Sequence, residues 1–165
     1  MRSTGCQGVY PDERVAQFIN THFVPIKIHI KEHPEGFERF GAQWTPTLII
    51  LDPEGKERYR FEGYLPADDF LAQLELGLAK SAFAREQFGE AEQLFREIAR
   101  QYPKSDAAPE AVYWAGVSQY KVTHNPAPLA AAARELKERY PERSWAKKAS
   151  VWAAPASGTA SQSGS

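Results

Sequence analysis

Residues 47–64 constrain the fold more than any other part of this sequence. Residues 47–52, TLIILD, are an apolar run that ends at the turn-forming sequence Asp52-Pro53-Glu54-Gly55. Residues 57–64 then return as a second strand, so the two runs predict a β-hairpin. A continuous apolar run is typical of a central strand that is covered on both faces of its sheet. The sequence therefore predicts a sheet with helices packed on it.

The residues before the hairpin carry helix and strand patterns in turn. Asp12 is predicted to cap a helix whose apolar face begins at Val15 and repeats at helical spacing. Residues 23–30, FVPIKIHI, place isoleucines at alternate positions, which predicts a half-buried strand. A short helix is expected around residues 36–40, and another helix after the hairpin, starting at Pro66. This order of elements indicates an α/β fold up to residue 80.

Beyond residue 80 the sequence is helical until its tail. Helices are predicted over residues 81–88, 90–102, 108–120, 128–140 and 144–152. Two of these helices are predicted to end at the similar sequences Tyr102-Pro103 and Tyr140-Pro141. The spacing of about forty residues between these ends suits a helix–turn–helix repeat. We therefore expect an α/β domain at 1–80, a helical segment at 81–152 and a disordered, Ser- and Gly-rich tail at 153–165.

Composition excludes several classes of function. The formal net charge is -1 and acids and bases are interspersed, so the basic stripe of a nucleic-acid-binding protein is missing. No apolar run approaches the ~20 residues of a membrane span. His22, His29, His33 and Glu32 are expected to be solvated rather than to bind a metal, and no cofactor motif is present. A single cysteine, Cys6, favours a reducing, cytoplasmic location.

The order helix, strand, short helix, Trp44-Thr45-Pro46-Thr47, hairpin and helix resembles the thioredoxin family. The resemblance covers roughly residues 5–80 and implies a three-layer α/β sandwich. It also implies that Pro46 is a cis proline and that Trp44 and Thr45 line a groove beside it for an extended peptide. By the same resemblance, Cys6 belongs to the family's active-site motif and is the candidate catalytic thiol.

Two features depart from the family pattern. The second motif cysteine is absent from Cys6-Gln-Gly-Val9, so Cys6 represents either the buried resolving cysteine or the exposed nucleophile. The strand that precedes the cysteine in the family is also missing, and it would lie between residues 24–30 and 47–52. We expect one of three explanations: the chain starts at an internal methionine of a longer protein, its strands pair directly, or another chain supplies the strand.

The helical segment resembles tetratricopeptide-like repeats. Ala91, Phe95 and Pro103 fall at the small, aromatic and proline positions of one repeat, and Ala115, Gly116 and Pro141 suit a looser second one. Two such repeats are fewer than the three or so that stand alone, so we expect them to pack on the α/β part or against a second copy in a homo-oligomer. The aromatic residues of this segment are expected to be core between helices more than a binding face: Tyr113, Trp114, Tyr120, Trp145 and Trp152.

Two functions are consistent with these residues. The first is a thioredoxin-like protein that engages thiols or disulfides of partner proteins or peptides, with monothiol exchange at Cys6. Its activity would be at most that of a thiol–disulfide oxidoreductase, because a lone thiolate cannot resolve its own mixed disulfide. The alternative is a catalytically inactive interaction module that uses the groove at residues 44–46 and the helical repeats. The chain as written slightly favours the alternative, whereas the resemblance to the wider family favours the first function.

Overall fold

The computed structural model of the chain describes residues 12–153. A short α/β part comes first and a run of packed helices follows it. The α/β part comprises α1 (Glu13–His22), α2 (Pro34–Arg39), β1 (Thr47–Leu51), β2 (Glu57–Glu62) and α3 (Ala67–Ala84). The helices after it are α4 (Phe88–Gln101), α5 (Ala107–Thr123), α6 (Ala127–Arg139) and α7 (Ser144–Ala149), ending in a 3-10 turn at Ser150–Trp152. Among residues 12–153, no helix combines the length and apolar character needed to cross a membrane.

The structure confirms the predicted hairpin. Strands β1 and β2 pair antiparallel, with Leu48 opposite Phe61. The turn is organised by the Asp52 carboxylate, which accepts hydrogen bonds from the backbone N–H of Lys56 (2.8 Å) and from Arg58 Nε (2.7 Å). Gly55 adopts a positive φ of 79°, a conformation that favours glycine. The local turn chemistry that the sequence shows is therefore the chemistry that closes the hairpin.

Helix α1 begins as its sequence predicts. Asp12 caps it, and the Asp12 side chain accepts a hydrogen bond from the backbone N–H of Arg14 at 2.9 Å. Val15 is buried against α3, in the same cluster as Phe70 and Leu74. The cap and the apolar stripe are both local signals, and both form as expected.

The predicted strand at residues 23–30 is wrong. These residues form no helix or strand, and Val24 and Ile26 are 89% and 81% exposed. In the described part of the chain β1 pairs only with β2, so no strand lies next to this segment. An alternating pattern gives a strand only when a partner strand accepts its hydrogen bonds. Within residues 12–153 the sheet thus has two strands, so in this part of the chain β1 lies at an edge and not at the centre as predicted.

The predicted helix at residues 81–88 is also wrong, because no helix starts at Ser81. Helix α3 continues to Ala84, since Ser81 and Ala82 remain buried on its inner face. The chain turns only at Glu86, whose φ of 62° lies in the left-handed region, and α4 starts at Phe88. The helical segment is therefore joined to the α/β part through one continuous helix.

Helix α3 approaches the hairpin closely at Gly77. A Cβ atom at this position would lie 2.1 Å from Ile50 Cδ1 and 3.3 Å from Tyr59 Cδ1. Ile50 is buried, so glycine allows β1 to pack directly on the helix backbone. The contact joins a core of Val15, Ile50, Phe70, Leu71 and Leu74 to the larger helical core, which includes Leu76, Phe95, Ile98, Val112 and Leu136.

We expect Gly77→Ala and Ile50→Val to be energetically coupled. The added methyl group of alanine overlaps Ile50 Cδ1, and valine lacks this atom. The double variant should be more stable than the sum of the single changes by about 0.5–3 kcal/mol, the usual size of coupling between contacting residues. Urea unfolding of the four proteins measures this coupling. Additive free energies of unfolding would contradict the close contact.

We expect the hairpin to lose stability in acid because of Asp52. Burial alone would raise the pKa of this carboxyl, but hydrogen bonds from the Lys56 N–H and Arg58 hold the pKa below its usual range. A lowered pKa stabilises the folded state above the ordinary value of 3.8, and this stability is lost as the pH falls through the folded value. The Tm difference between wild type and Asp52→Asn should therefore shrink from pH 6 to about pH 3.

The exposed Glu54 of the same turn provides a matched control. Glu54→Gln should give a small Tm difference across this pH range. If the gap between wild type and Asp52→Asn were constant with pH, the carboxylate would not be the group that stabilises the turn.

Candidate functional site

Among residues 12–153, no other strand pairs with the backbone edge formed by β1 and the residues that lead into it. The Thr45–Pro46 peptide bond is cis, and the Trp44 carbonyl accepts a hydrogen bond from Thr47 Oγ1 at 2.6 Å. Trp44 is 67% exposed. The backbone N–H and C=O of Thr45 make no hydrogen bond to any of residues 12–153. Residues 44–46, which the sequence predicts to line a peptide groove, lie directly before β1.

The open edge continues along β1 from Thr45. The Pro46 carbonyl accepts from the Gly63 N–H, and the Asp52 N–H donates to the Lys56 carbonyl, both at 2.9 Å. Backbone groups of successive residues point to opposite sides of a strand, so even-numbered residues of β1 face β2. The N–H and C=O groups of Thr47 and Ile49 therefore point away from β2, in line with those of Thr45.

The two faces of β1 have different surroundings. Leu48 and Ile50 pack toward α1 and α3 in the smaller core. Ile49 and Leu51 lie on the other face, and Leu51 is 39% exposed. The Arg60 guanidinium, opposite Ile49 in the register, donates to the Phe40 carbonyl at 2.7 Å and so brings the end of α2 beside this face. The open edge thus has one face packed on the apolar core and one partly exposed face, on which Arg60 lies opposite Ile49.

A second concave feature lies between α1, α3 and the end of α4. It is a cleft of about 540 Å³. Phe18 and Tyr102 supply aromatic surface, and Glu75 lies within reach of the Tyr102 hydroxyl, which donates to Glu75 Oε1 at 3.0 Å. The cleft is lined by Arg14, Phe18, Asp68, Leu71, Glu75, Gln101 and Tyr102.

The electrostatics of this cleft centre on Glu75. Burial raises the pKa of the Glu75 carboxyl, the Tyr102 hydrogen bond opposes that rise, and the nearby Glu97 adds to it. Burial and the Glu75 carboxylate raise the pKa of Tyr102 to about 12, so its phenol stays protonated and donates at neutral pH. His22 faces the same carboxylate and favours its charged form. The environment of Glu75 therefore disfavours the charged form of its carboxyl group.

Residues 7–78 match the family model of a thioredoxin-like domain. The match covers slightly less than half of the chain and includes α1, the hairpin and most of α3. No curated protein and no solved structure matches the chain. The comparison supports a thioredoxin-like region in the first half of the chain, and we use this name for residues 7–78.

The structure bears differently on the other residues that the sequence analysis selected. Cys6 lies outside the described residues, as does the predicted disordered tail beyond Ala153. Within residues 12–153 no group of His, Cys, Asp and Glu side chains is arranged to hold a metal ion. Of the five aromatic residues predicted to be core between helices, Tyr120 is partly exposed and four pack on the helical core: Tyr113, Trp114, Trp145 and Trp152.

Sequence reasoning missed the cleft. Its lining residues come from three helices, and Phe18, Glu75 and Tyr102 are far apart along the chain. One local signal was present, because Glu75 is an acidic residue between Leu74 and Leu76 in an otherwise apolar run. A charged residue at such a position is costly unless a partner or a ligand compensates it.

Proposed function

We propose that this chain is a protein-interaction module that binds an extended segment of a partner protein along the open edge of β1. The observation that carries the proposal is the row of outward-facing backbone groups at Thr45, Thr47 and Ile49. An extended peptide that adds to a sheet edge gains main-chain hydrogen bonds, and alternate side-chain contacts give it specificity. The thioredoxin-like region supplies the sheet, and the helical segment supports it through α3.

The residues of this edge are those expected of a strand that pairs with another chain and not of a strand that faces solvent. Exposed strand edges in soluble proteins are usually short, charged or covered, because open ones pair with other chains. Here β1 is the run TLIIL and carries no charged residue. Trp44, mostly exposed at the start of the edge, offers a large aromatic surface for a side chain of the partner.

We expect Ile49→Pro to abolish binding of peptides that the wild type binds. Proline lacks the outward-facing N–H of position 49 and its ring blocks a neighbouring strand, whereas the inward-facing bonds to β2 are kept. Peptides are first selected from a phage-displayed random library on the wild-type chain. Their affinity, measured by fluorescence polarisation, should fall about tenfold or more in Ile49→Pro, consistent with the loss of one or two hydrogen bonds and steric exclusion.

Ile49→Val is the matched control, since it keeps the N–H and most of the side chain. It should bind the selected peptides nearly as well as the wild type. A measurement that needs no variant is hydrogen exchange, in which the amides of Thr47 and Ile49 should become protected when peptide binds. Selected peptides that bind Ile49→Pro equally well and leave these amides unprotected, or a library that yields no binder, would rule the edge out.

We also expect Cys6 to be dispensable for this function. The chain has one cysteine, so it has no second thiol to resolve a mixed disulfide. Wild type and Cys6→Ser should therefore bind the selected peptides equally, and neither should accelerate reduction of insulin disulfides by dithiothreitol. Faster insulin reduction by the wild type alone would instead assign thiol exchange to Cys6.

A further inference from the structure

The cleft between α1, α3 and α4 has the features of a binding site for a flat cation. Its volume of about 540 Å³ is within the range of small-molecule sites. Phe18 and Tyr102 provide aromatic surface, and Leu71 adds an aliphatic one. Aromatic faces attract cations, and planar guanidinium groups stack on them especially well.

The carboxylate in this cleft is only partly satisfied by the protein. A carboxylate has room for about four hydrogen bonds. Among residues 12–153, the Tyr102 hydroxyl is the one donor that bonds Glu75, and no salt bridge involves Glu75. Half-buried charges of this kind are usually paired, and an unpaired one in a cleft is a mark of a functional site.

Arg14, whose guanidinium also lines the cleft, does not compensate the negative charge of Glu75. Arg14 forms salt bridges with Asp12 at 2.8 Å and with Asp68 at 3.0 Å, so its charge is already balanced by two carboxylates. The raised pKa of Glu75 agrees with this, since Tyr102 and His22, and not Arg14, are the groups that favour its charged form, and burial together with Glu97 outweighs them. Three carboxylates, those of Asp12, Asp68 and Glu75, therefore stand against the single positive charge of Arg14, and Glu75 is the one of them that Arg14 does not pair with.

We propose that this cleft binds a guanidinium group on an aliphatic stem, as in the side chain of arginine. The guanidinium pairs with the Glu75 carboxylate, and its plane lies against Tyr102 or Phe18. The stem contacts Leu71. The same chemistry is offered by a free arginine derivative and by an arginine of a partner protein, and the site is separate from the open edge of β1.

The proposal is tested with ligands of equal shape and different charge. N-acetyl-arginine amide is titrated into the 15N-labelled full chain and compared with N-acetyl-citrulline amide, which replaces the guanidinium by a neutral urea. The pentapeptides Gly-Gly-Arg-Gly-Gly and Gly-Gly-citrulline-Gly-Gly form the second arm. We expect the arginine ligands to shift the amide signals of Gln101 and Tyr102 and to bind about tenfold more tightly than the citrulline ligands, the usual worth of a charge-assisted hydrogen bond.

Glu75→Gln should remove this preference and bind both ligand types equally weakly. Glu90→Gln, which removes an exposed carboxylate of α4, is the matched control and should behave as the wild type. Tighter binding of the pentapeptide than of the amide would identify a protein segment as the source, and the reverse order would identify a small molecule. Equal binding of arginine and citrulline ligands to the wild type, or an undiminished preference in Glu75→Gln, would overturn the proposal.

Discussion

The burial of helix α3 on two sides is the constraint on which the rest of this structure depends. Phe70, Leu71 and Leu74 face α1 and the hairpin, whereas Leu76 and Ala79 belong to the helical core. Each core alone is small, and small cores give little stability. Because one continuous helix contributes to both, neither part of the chain can move away without exposing apolar surface of the other. Tyr59 and Tyr102 reinforce this junction, since each packs against both cores.

This arrangement explains how a two-stranded sheet persists. An isolated hairpin is marginally stable in water. Here the hairpin is held on α3 through Ile50 and the close approach at Gly77, and the Asp52 turn fixes its far end. The sheet is thus stabilised through its face rather than through its edge. Among residues 12–153 no strand pairs with the outer edge of β1, so within this part of the chain the hairpin is held without it.

Much of the fold could be predicted because its signals are local. The Asp12 cap and the Asp52–Gly55 turn each depend on a few adjacent residues, and both form as expected. The strand prediction for residues 23–30 was wrong because a strand requires a partner strand, and the alternation of side chains cannot show whether a partner is present. The prediction that a helix starts at Ser81 was wrong because burial against distant residues, and not local propensity, extends α3 beyond this point. Of the candidate site, residues 44–46 were selected from their motif and their role as a groove stays a prediction, whereas the cleft depends on residues that only tertiary packing brings together.

The polar residues on α3 differ in how well other residues of the protein compensate them. Gln73 accepts a hydrogen bond from the Tyr59 hydroxyl at 2.5 Å, and Lys80 forms a salt bridge with Glu110 of α5. Lys80 also lies 4.6 Å from the centre of the Tyr59 ring, so both side chains tie α3 to its neighbours. Glu75 differs from them, because burial and Glu97 raise its pKa more than the Tyr102 hydrogen bond and the charge of His22 lower it. The raised pKa means that the folded chain disfavours the charged form of Glu75, and the guanidinium proposed for the cleft would compensate that charge.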